Sequence, residues 1–141
     1  MNGPLAGLLV IDVSTVVAGG FGSSLMADLG AEVIKVENPA GGDPNRGLAP
    51  HKAGVSLWHK VAARNKKSVT LNMQQAAGQD LFRRLAAKAD VVIENFRVGT
   101  LEKWGLGYDA LSAATPGLVM LRITGYGQDA PYRNRAGFGT I

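Results

Sequence analysis

Short apolar runs alternate along this chain with segments whose apolar residues recur at helical spacing. The first run, residues 8–13, is rich in Leu, Val and Ile, which suits a strand buried on both faces of a sheet. The clearest helix is predicted at residues 75–89, where apolar side chains recur at every fourth position from Ala77. The pattern therefore predicts a strand near the start of the chain and its clearest helix near the middle.

The remaining elements continue the same alternation. A helix at residues 21–29 is predicted to present Leu25, Met26 and Leu29 on one face, with Gly30 ending it. Further strands are predicted at residues 32–37, 68–72, 90–96 and 118–123, and further helices at 100–104 and 108–114. The pattern of residues 48–67 is ambiguous and could hold a helix at 55–63. Alternating strands and helices predict an α/β fold, with a mostly parallel sheet and helices on both faces.

Composition and histidine content narrow the class of protein. Apolar residues make up 46% of the chain and charged residues 18%, as in a globular domain. The absence of cysteine excludes thiolate sites, and two histidines, His51 and His59, predict no metal centre. No apolar run approaches the ~20 residues of a membrane span, and the start has no basic leader segment. We expect a cytoplasmic protein that does not enter membranes.

The net charge of +4 is spread over small basic clusters at residues 64–67, 83–84 and 133–135. No aromatic residues interleave with these clusters, and no nucleic-acid-binding module is recognisable, so we expect no nucleic-acid partner. Scattered basic clusters suit a small, multiply charged anion instead. In parallel sheets such ligands lie beyond the carboxyl ends of the strands. The turn at residues 15–22 is predicted to offer free N–H groups to a phosphate.

A dinucleotide-binding domain is one interpretation of that edge. Its fingerprint needs Gly-x-Gly-x-x-Gly after the first strand and an acidic residue closing the second. Gly20, Gly22 and Glu37 match, but the third glycine is missing. Other carboxylates at strand ends, Asp12 and Glu94, are interpreted as structural groups rather than as a general acid and base.

Several segments of the chain together match one family in the right order. They are residues 4–12, 27–37, 42–47, 64–71, 89–97, 99–108 and 125–128. On these segments the chain resembles the family III CoA-transferases, which include formyl-CoA transferase, the carnitine CoA-transferases and α-methylacyl-CoA racemase. The resemblance implies that residues 1–141 are the N-terminal part of a large, Rossmann-like CoA-binding domain, incomplete here and without the family's second domain. It also implies acyl-CoA and carboxylate substrates, coenzyme A as the bound nucleotide, and a homodimer of interlocked chains in the full-length proteins.

The resemblance assigns part of the CoA contact surface to uncharged residues. Val16, Val17 and Ala18 would line the adenine side. Leu71 and Met73, at the end of the predicted strand 68–72, would flank the nucleotide. Asn95 and Phe96, at the end of the predicted strand 90–96, would meet the pantetheine and pyrophosphate region.

Basic residues complete the implied contact surface. Lys103 would reach a phosphate where relatives often carry arginine, keeping the charge but losing the bidentate fork. Arg46 and Arg135 would make further anion contacts. Asn38 stands where relatives often place a phosphate-binding arginine, which removes one expected charged contact.

The catalytic group implied by the resemblance is not found in these residues. Transferases of the family use an aspartate nucleophile that forms acyl-anhydride intermediates, and it is expected after residue 141. Racemases carry His-Asp at the positions of Phe138 and Gly139, which disfavours racemase chemistry. We therefore expect the chain alone to be inactive. A non-catalytic CoA-ester-binding or assembly module that needs a partner chain is the alternative.

Overall fold

The structure is a computed structural model that describes residues 3–138 of the chain. Its strands are β1 (Leu9–Asp12), β2 (Glu32–Glu37), β3 (His51–Lys52), β4 (Val55–Ser56), β5 (Lys66–Thr70), β6 (Val91–Glu94) and β7 (Val119–Arg122). Its helices are α1 (Ala18–Asp28), α2 (Leu57–Ala62), α3 (Ala76–Ala86), α4 (Thr100–Lys103) and α5 (Tyr108–Ala114). A short 3₁₀ turn, Pro44–Gly47, follows β2.

Five parallel strands form the main sheet in the order β5-β2-β1-β6-β7. In the centre, Val10 of β1 pairs with Val33 of β2 on one side and Val91 of β6 on the other. From β1 the chain adds β2 and then β5 on one side, and it then returns to add β6 and β7 on the other side. This reversal creates a crevice beyond the carboxyl ends of β1 and β6, where sheets of this kind bind ligands.

Helices cover both faces of the sheet, which confirms the predicted α/β architecture. On one face, Phe82 of α3, Leu101 of α4 and Leu111 of α5 belong to the same buried cluster as Ile11 and Val92 of the sheet. We call this the apolar face. On the other face, Ala27 of α1 belongs to a smaller cluster whose other buried members are Val10, Ala31, Val33 and Ile93. We call this the α1 face.

Helix α1 buries a different side from the one its large apolar residues predict. Leu25 and Leu29 are 45% and 47% exposed, and of the predicted face only Met26 packs, partly buried, against the sheet. The buried residues of the helix are Gly19, Gly20, Ser23, Ser24 and Ala27. A Cβ on Gly19 would overlap the side chain of Ser14. Close approach of the helix to the sheet therefore selected the small side chains, and the helix begins three residues before the predicted position.

Several predicted boundaries shift for identifiable reasons. Strand β5 begins at Lys66, two residues before the predicted start, because Lys66 pairs in register with Val33. Residues 55–63 split into the end of a small antiparallel hairpin and helix α2. Helix α3 ends at Ala86 rather than at residue 89. Among the described residues, no helix has both the length and the apolarity to cross a membrane.

Candidate functional site

A cleft of about 240 Å³ lies at the carboxyl edge of the main sheet, beyond the ends of β1, β2, β5 and β6. Its apolar lining consists of Val13, Val36, Pro44, Leu71, Met73, Phe96 and Trp104. Its polar lining consists of Ser14, Thr15, Lys35, Glu37, Asn38, Asp43, Asn72 and Gln74. Apolar walls with a few polar groups are typical of a site for a small organic ligand. The volume suits one portion of a large nucleotide rather than all of it.

One wall of the cleft is aromatic. The rings of Phe96 and Trp104 meet edge to face, with centroids 5.5 Å apart and planes inclined by 72°. Phe96 follows β6 directly, and Trp104 follows the last residue of α4. Flat, polarisable surfaces of this kind suit contact with a heterocycle or an alkyl chain.

Buried charges lie beneath the cleft on the α1 face. The Lys35 ammonium is 3.4 Å from Asp12 Oδ1 and 3.1 Å from Asp43 Oδ2. The Lys66 ammonium is 2.9 Å from Asp12 Oδ2 and also donates to Ser23 Oγ at 2.7 Å. We call Asp12, Lys35, Asp43 and Lys66 the buried charge cluster.

The cluster neutralises itself. Burial by itself would raise the pKa of Asp12, but Lys35 and Lys66 outweigh it and hold that pKa below its usual value. Burial lowers the pKa of Lys66, and Asp12 opposes that effect. Two carboxylates and two ammonium groups balance, so the cluster shapes the floor of the cleft without supplying an unpaired charge to a ligand.

Glu37, at the end of β2, is fully engaged by neighbours. Arg46 binds it through both of its oxygens, at 2.7 and 2.8 Å, and Ser68 Oγ and the Asp43 N–H each donate to it at 2.8 Å. The Arg46 hydrogen bonds are the main cause that lowers the pKa of Glu37 to about 2. A ribose would have to displace these partners, which argues against the dinucleotide interpretation. Arg46 is likewise committed to Glu37, although its side chain remains 47% exposed.

The turn between β1 and α1 is held from two sides. Val16 has a φ of 63°, in the left-handed region that is costly for a β-branched residue, by about 1–3 kcal/mol. Its N–H donates to Asp43 Oδ1 at 3.1 Å, and its carbonyl accepts from Asn45 Nδ2. The Thr15 N–H donates to Asn95 Oδ1 at 2.8 Å, and Asn95 Nδ2 donates back to the Thr15 carbonyl. The prediction of free phosphate-binding N–H groups was therefore wrong for these two residues.

The glycines of the fingerprint-like segment lie within helix α1 rather than in a turn. A Cβ on Gly20 would stand 3.5 Å from the Ala62 Cβ, whereas Gly22 faces open space. The first is an ordinary van der Waals distance, so neither position requires a glycine for packing. Neither glycine is placed to let backbone approach a pyrophosphate.

The structure gathers only some of the residues that the resemblance selected. Leu71, Met73 and Phe96 line the cleft together. Val16 and Val17 precede α1, which begins at Ala18, and Lys103 is the last residue of α4, next to Trp104. Asn95 holds the β1–α1 turn, as described above.

The expected contacts in the C-terminal segment lie away from the cleft lining. The Arg135 guanidinium carbon lies 4.3 Å from the centroid of the Tyr132 ring, and neither residue lines the cleft. Phe138 is exposed, and Gly139 lies outside the described residues. Within residues 3–138, no group of three or more metal-ligating side chains is assembled.

Sequence reasoning missed Lys35, Asp43, Lys66 and Trp104. A signal for Lys35 was present, because a lysine between Ile34 and Val36 in a strand predicted to be central must find buried partners. Nothing in the sequence identified the partners, because Lys66 lies 54 residues after Asp12. Trp104 joins Phe96 only through the packing of α4.

Comparison with known proteins identifies the family. The sequence model of CoA-transferase family III matches residues 5–141. Succinyl-CoA–D-citramalate CoA-transferase of Chloroflexus aurantiacus is 51% identical over 98% of the chain and 35% of its own length. The succinyl-CoA–L-malate CoA-transferase beta subunit of the same organism is 53% identical over 98% of the chain and 34% of its own length.

A solved structure agrees with these sequence relatives. A CAIB/BAIF family protein from Brucella suis superimposes with a TM-score of 0.91 at 42% identity, covering 98% of this chain and 38% of that one. The chain thus spans about a third of the length of the curated relatives that it matches. The match over residues 5–141 and the agreement in fold confirm the resemblance, and the chain belongs to CoA-transferase family III.

Proposed function

We propose that these residues form the CoA-binding portion of a transferase that moves CoA between an acyl-CoA and a carboxylic acid. The observation that carries the proposal is the cleft beyond β1 and β6, in a chain that matches the family over residues 5–141. It combines the position where parallel sheets bind nucleotides with walls that suit an organic ligand.

Within this proposal the cleft takes an uncharged part of CoA. The charges of Lys35, Glu37 and Asp43 are each balanced by a neighbour, so the cleft offers no unpaired cation to a phosphate. The phosphates would instead lie at the rim, near Lys103. Its side chain is exposed, and it forms no ion pair with any residue between 3 and 138.

We further propose that the reaction passes through an aspartyl acyl-anhydride whose aspartate lies outside these 141 residues. A carboxylate nucleophile must be accessible and free to attack. Glu37 and Asp43 in the cleft lining, and Asp12 beneath it, are all buried and held in ion pairs. None of the three is in a state to form an acyl bond, which supports a chain that is inactive alone.

The names of the relatives suggest a substrate class. Two of them are named for transfer from succinyl-CoA to D-citramalate or L-malate, and a human relative, 40% identical over 98% of the chain, for transfer to glutarate. We propose succinyl-CoA as the donor and a dicarboxylic acid as the acceptor. The relatives named as alpha and beta subunits support assembly from more than one chain, and we propose a dimer in the cytoplasm.

Calorimetric titration of the purified chain with CoA, and in parallel with NAD, tests the binding proposal. CoA should bind, and Lys103→Ala should weaken binding about fivefold through loss of one charged contact. Lys88→Ala, an exposed lysine beyond the other end of the sheet, is the matched control and should have no effect. Binding of NAD without CoA would overturn the proposal.

The catalytic proposal has its own assay. The purified chain, incubated with succinyl-CoA and L-malate, should form no malyl-CoA above the rate without protein. Turnover by the chain alone would contradict the proposed location of the nucleophile.

A further inference from the structure

Three charged residues outside the cleft lining connect the elements that carry its aromatic wall. The Glu94 carboxylate, 1% exposed, accepts from Arg122 Nε at 2.8 Å through Oε1. Through Oε2 it accepts from the Phe96 N–H at 2.7 Å. Arg122 Nη1 lies 2.7 Å from Glu102 Oε1. We call Glu94, Arg122 and Glu102 the carboxylate–arginine clamp.

The clamp joins three separate elements. Glu94 is the last residue of β6, and its partner in the sheet register is Arg122, the last residue of β7. Glu102 belongs to α4, on the apolar face. Burial opposes the charge on Arg122, but Glu102 and Glu94 outweigh it and raise the pKa of the guanidinium above its usual value. Arg122 therefore remains a cation, and both of its carboxylate partners lie within hydrogen-bond distance.

Each end of the clamp lies two residues along the chain from one ring of the aromatic wall. At the β6 end, Glu94 binds the backbone N–H of Phe96 directly. At the other end, Glu102 lies in the four-residue helix α4, and Trp104 follows that helix as its C-cap. The clamp residues do not line the cleft, whereas both rings do. The edge-to-face contact of Phe96 and Trp104 thus depends on β6 and α4 keeping their relative position.

We propose that Glu94, Arg122 and Glu102 are positioning residues for CoA binding, which act through the Phe96–Trp104 wall and not by contact with CoA. The inference rests on the proposed CoA site in the cleft. It makes the cleft dependent on β7, an edge strand that contributes no lining residue.

A double-mutant cycle between the clamp and the wall tests the inference. Arg122→Met, Trp104→Leu and the double variant are titrated with CoA by calorimetry. If the clamp acts through the wall, each single change weakens CoA binding about tenfold, and the double variant binds no more than about threefold weaker than Trp104→Leu. Effects that multiply to about a hundredfold, or an Arg122→Met chain that binds like the wild type, would overturn the proposal.

Arg64→Met is the matched control. Arg64 also pairs with a carboxylate, Asp28, at 2.5 Å, but that pair lies at the opposite edge of the sheet. Its loss should leave CoA affinity unchanged. An equal loss of affinity in Arg64→Met would show that any broken Arg–carboxylate pair weakens binding, and would overturn the proposal.

Glu102→Gln covers the case in which Arg122→Met does not fold. This change removes one charge from the half-exposed end of the clamp and leaves the buried Glu94–Arg122 pair in place. CoA affinity should fall about threefold, as expected for one weakened charged contact. Unchanged affinity would contradict the proposed role of the clamp.

Trp104 emission separates failure of the clamp from failure of the CoA proposal. In a Trp58→Phe background, Trp104 is the single tryptophan of the chain. Arg122→Met should raise acrylamide quenching of its emission without any ligand, and Arg64→Met should not. Unchanged quenching in Arg122→Met would overturn the positioning role of the clamp, even if CoA binds. Raised quenching in a chain that binds no CoA would overturn only the proposal of CoA binding.

Discussion

The two faces of the sheet are packed by different kinds of side chain. On the apolar face, large side chains such as Phe82, Leu101 and Leu106 are fully buried. On the α1 face, small residues of the helix approach the sheet closely, and the buried charge cluster lies between the helix and the end of the sheet. The apolar face stabilises the domain through area removed from water. The α1 face fixes the geometry at the carboxyl edge through paired charges and close contact.

The largest effect is expected where the apolar face is emptied. Phe82→Ala should destabilise the chain by about 4 kcal/mol, because it leaves a cavity at a site with no exposure. Urea unfolding followed by circular dichroism measures the change. Leu81→Ala, at the exposed neighbouring position, is the control and should cost less than about 1 kcal/mol. Equal costs at the two positions would mean that α3 does not pack as described.

On the α1 face, removal of one buried charge should cost slightly less. Lys66→Met should destabilise the chain by about 3 kcal/mol, because the buried Asp12 carboxylate loses one cationic partner and retains Lys35. Lys67→Met removes a lysine whose side chain is 72% exposed and should change stability by less than about 0.5 kcal/mol. The same urea titration distinguishes them. If Lys66→Met left the stability unchanged, the buried charge cluster would not contribute to the stability of the fold.

Close packing on the α1 face is probed by a single methyl group. Gly19→Ala should cost about 2 kcal/mol, because the new methyl overlaps Ser14, a buried residue that donates to Asp12. Gly22→Ala places the same methyl in open space and should stabilise the helix by about 0.5 kcal/mol. Thermal melting compares the pair. If Gly19→Ala had the same melting temperature as Gly22→Ala, the close approach of α1 to the sheet would be contradicted.

The smallest effect concerns the pH dependence of stability at the end of β2. The folded-state pKa of Glu37 is about 2, below its ordinary value of 4.5, so the unfolded chain binds more protons between these values. Its contribution is complete above pH 4.5 and is lost as pH falls toward 2. It should amount to about 1 kcal/mol, because Arg46 is half exposed and solvent screens the pair.

Arg46→Met should flatten that pH dependence, which urea titrations at pH 2.5 and 5 would reveal. The loss of stability between the two pH values should be smaller in the variant than in the wild type. An unchanged dependence would assign the effect to carboxylates other than Glu37.

Most of the fold was predictable because its signals are local. The run at residues 8–13 and the spacing at residues 75–89 predicted a buried strand and an amphipathic helix, and β1 and α3 lie there. The face of α1 was not predictable in this way. Leu25 and Leu29 are large apolar residues of that segment and remain exposed, whereas the fully buried residues of α1 are small and Met26 packs only partly against the sheet.

The candidate site was predictable only in part. Leu71, Met73 and Phe96 were selected by resemblance and line one cleft, whereas Arg46 and Asn95 are engaged by Glu37 and Thr15. These engagements are interactions between distant segments. The separation between Asn95 and Thr15 is 80 residues, so no local pattern carries it.

The sequence by itself determined the alternation of elements, the family and the positions where polar groups end the strands. Those properties follow from side-chain periodicity and from motifs along one stretch of chain. Only the tertiary structure decided which charges neutralise one another, which face α1 buries and that Trp104 meets Phe96. These outcomes depend on distances between strands and helices far apart in the chain, and burial makes an unpaired charge or an overlapping methyl costly only once the elements have packed.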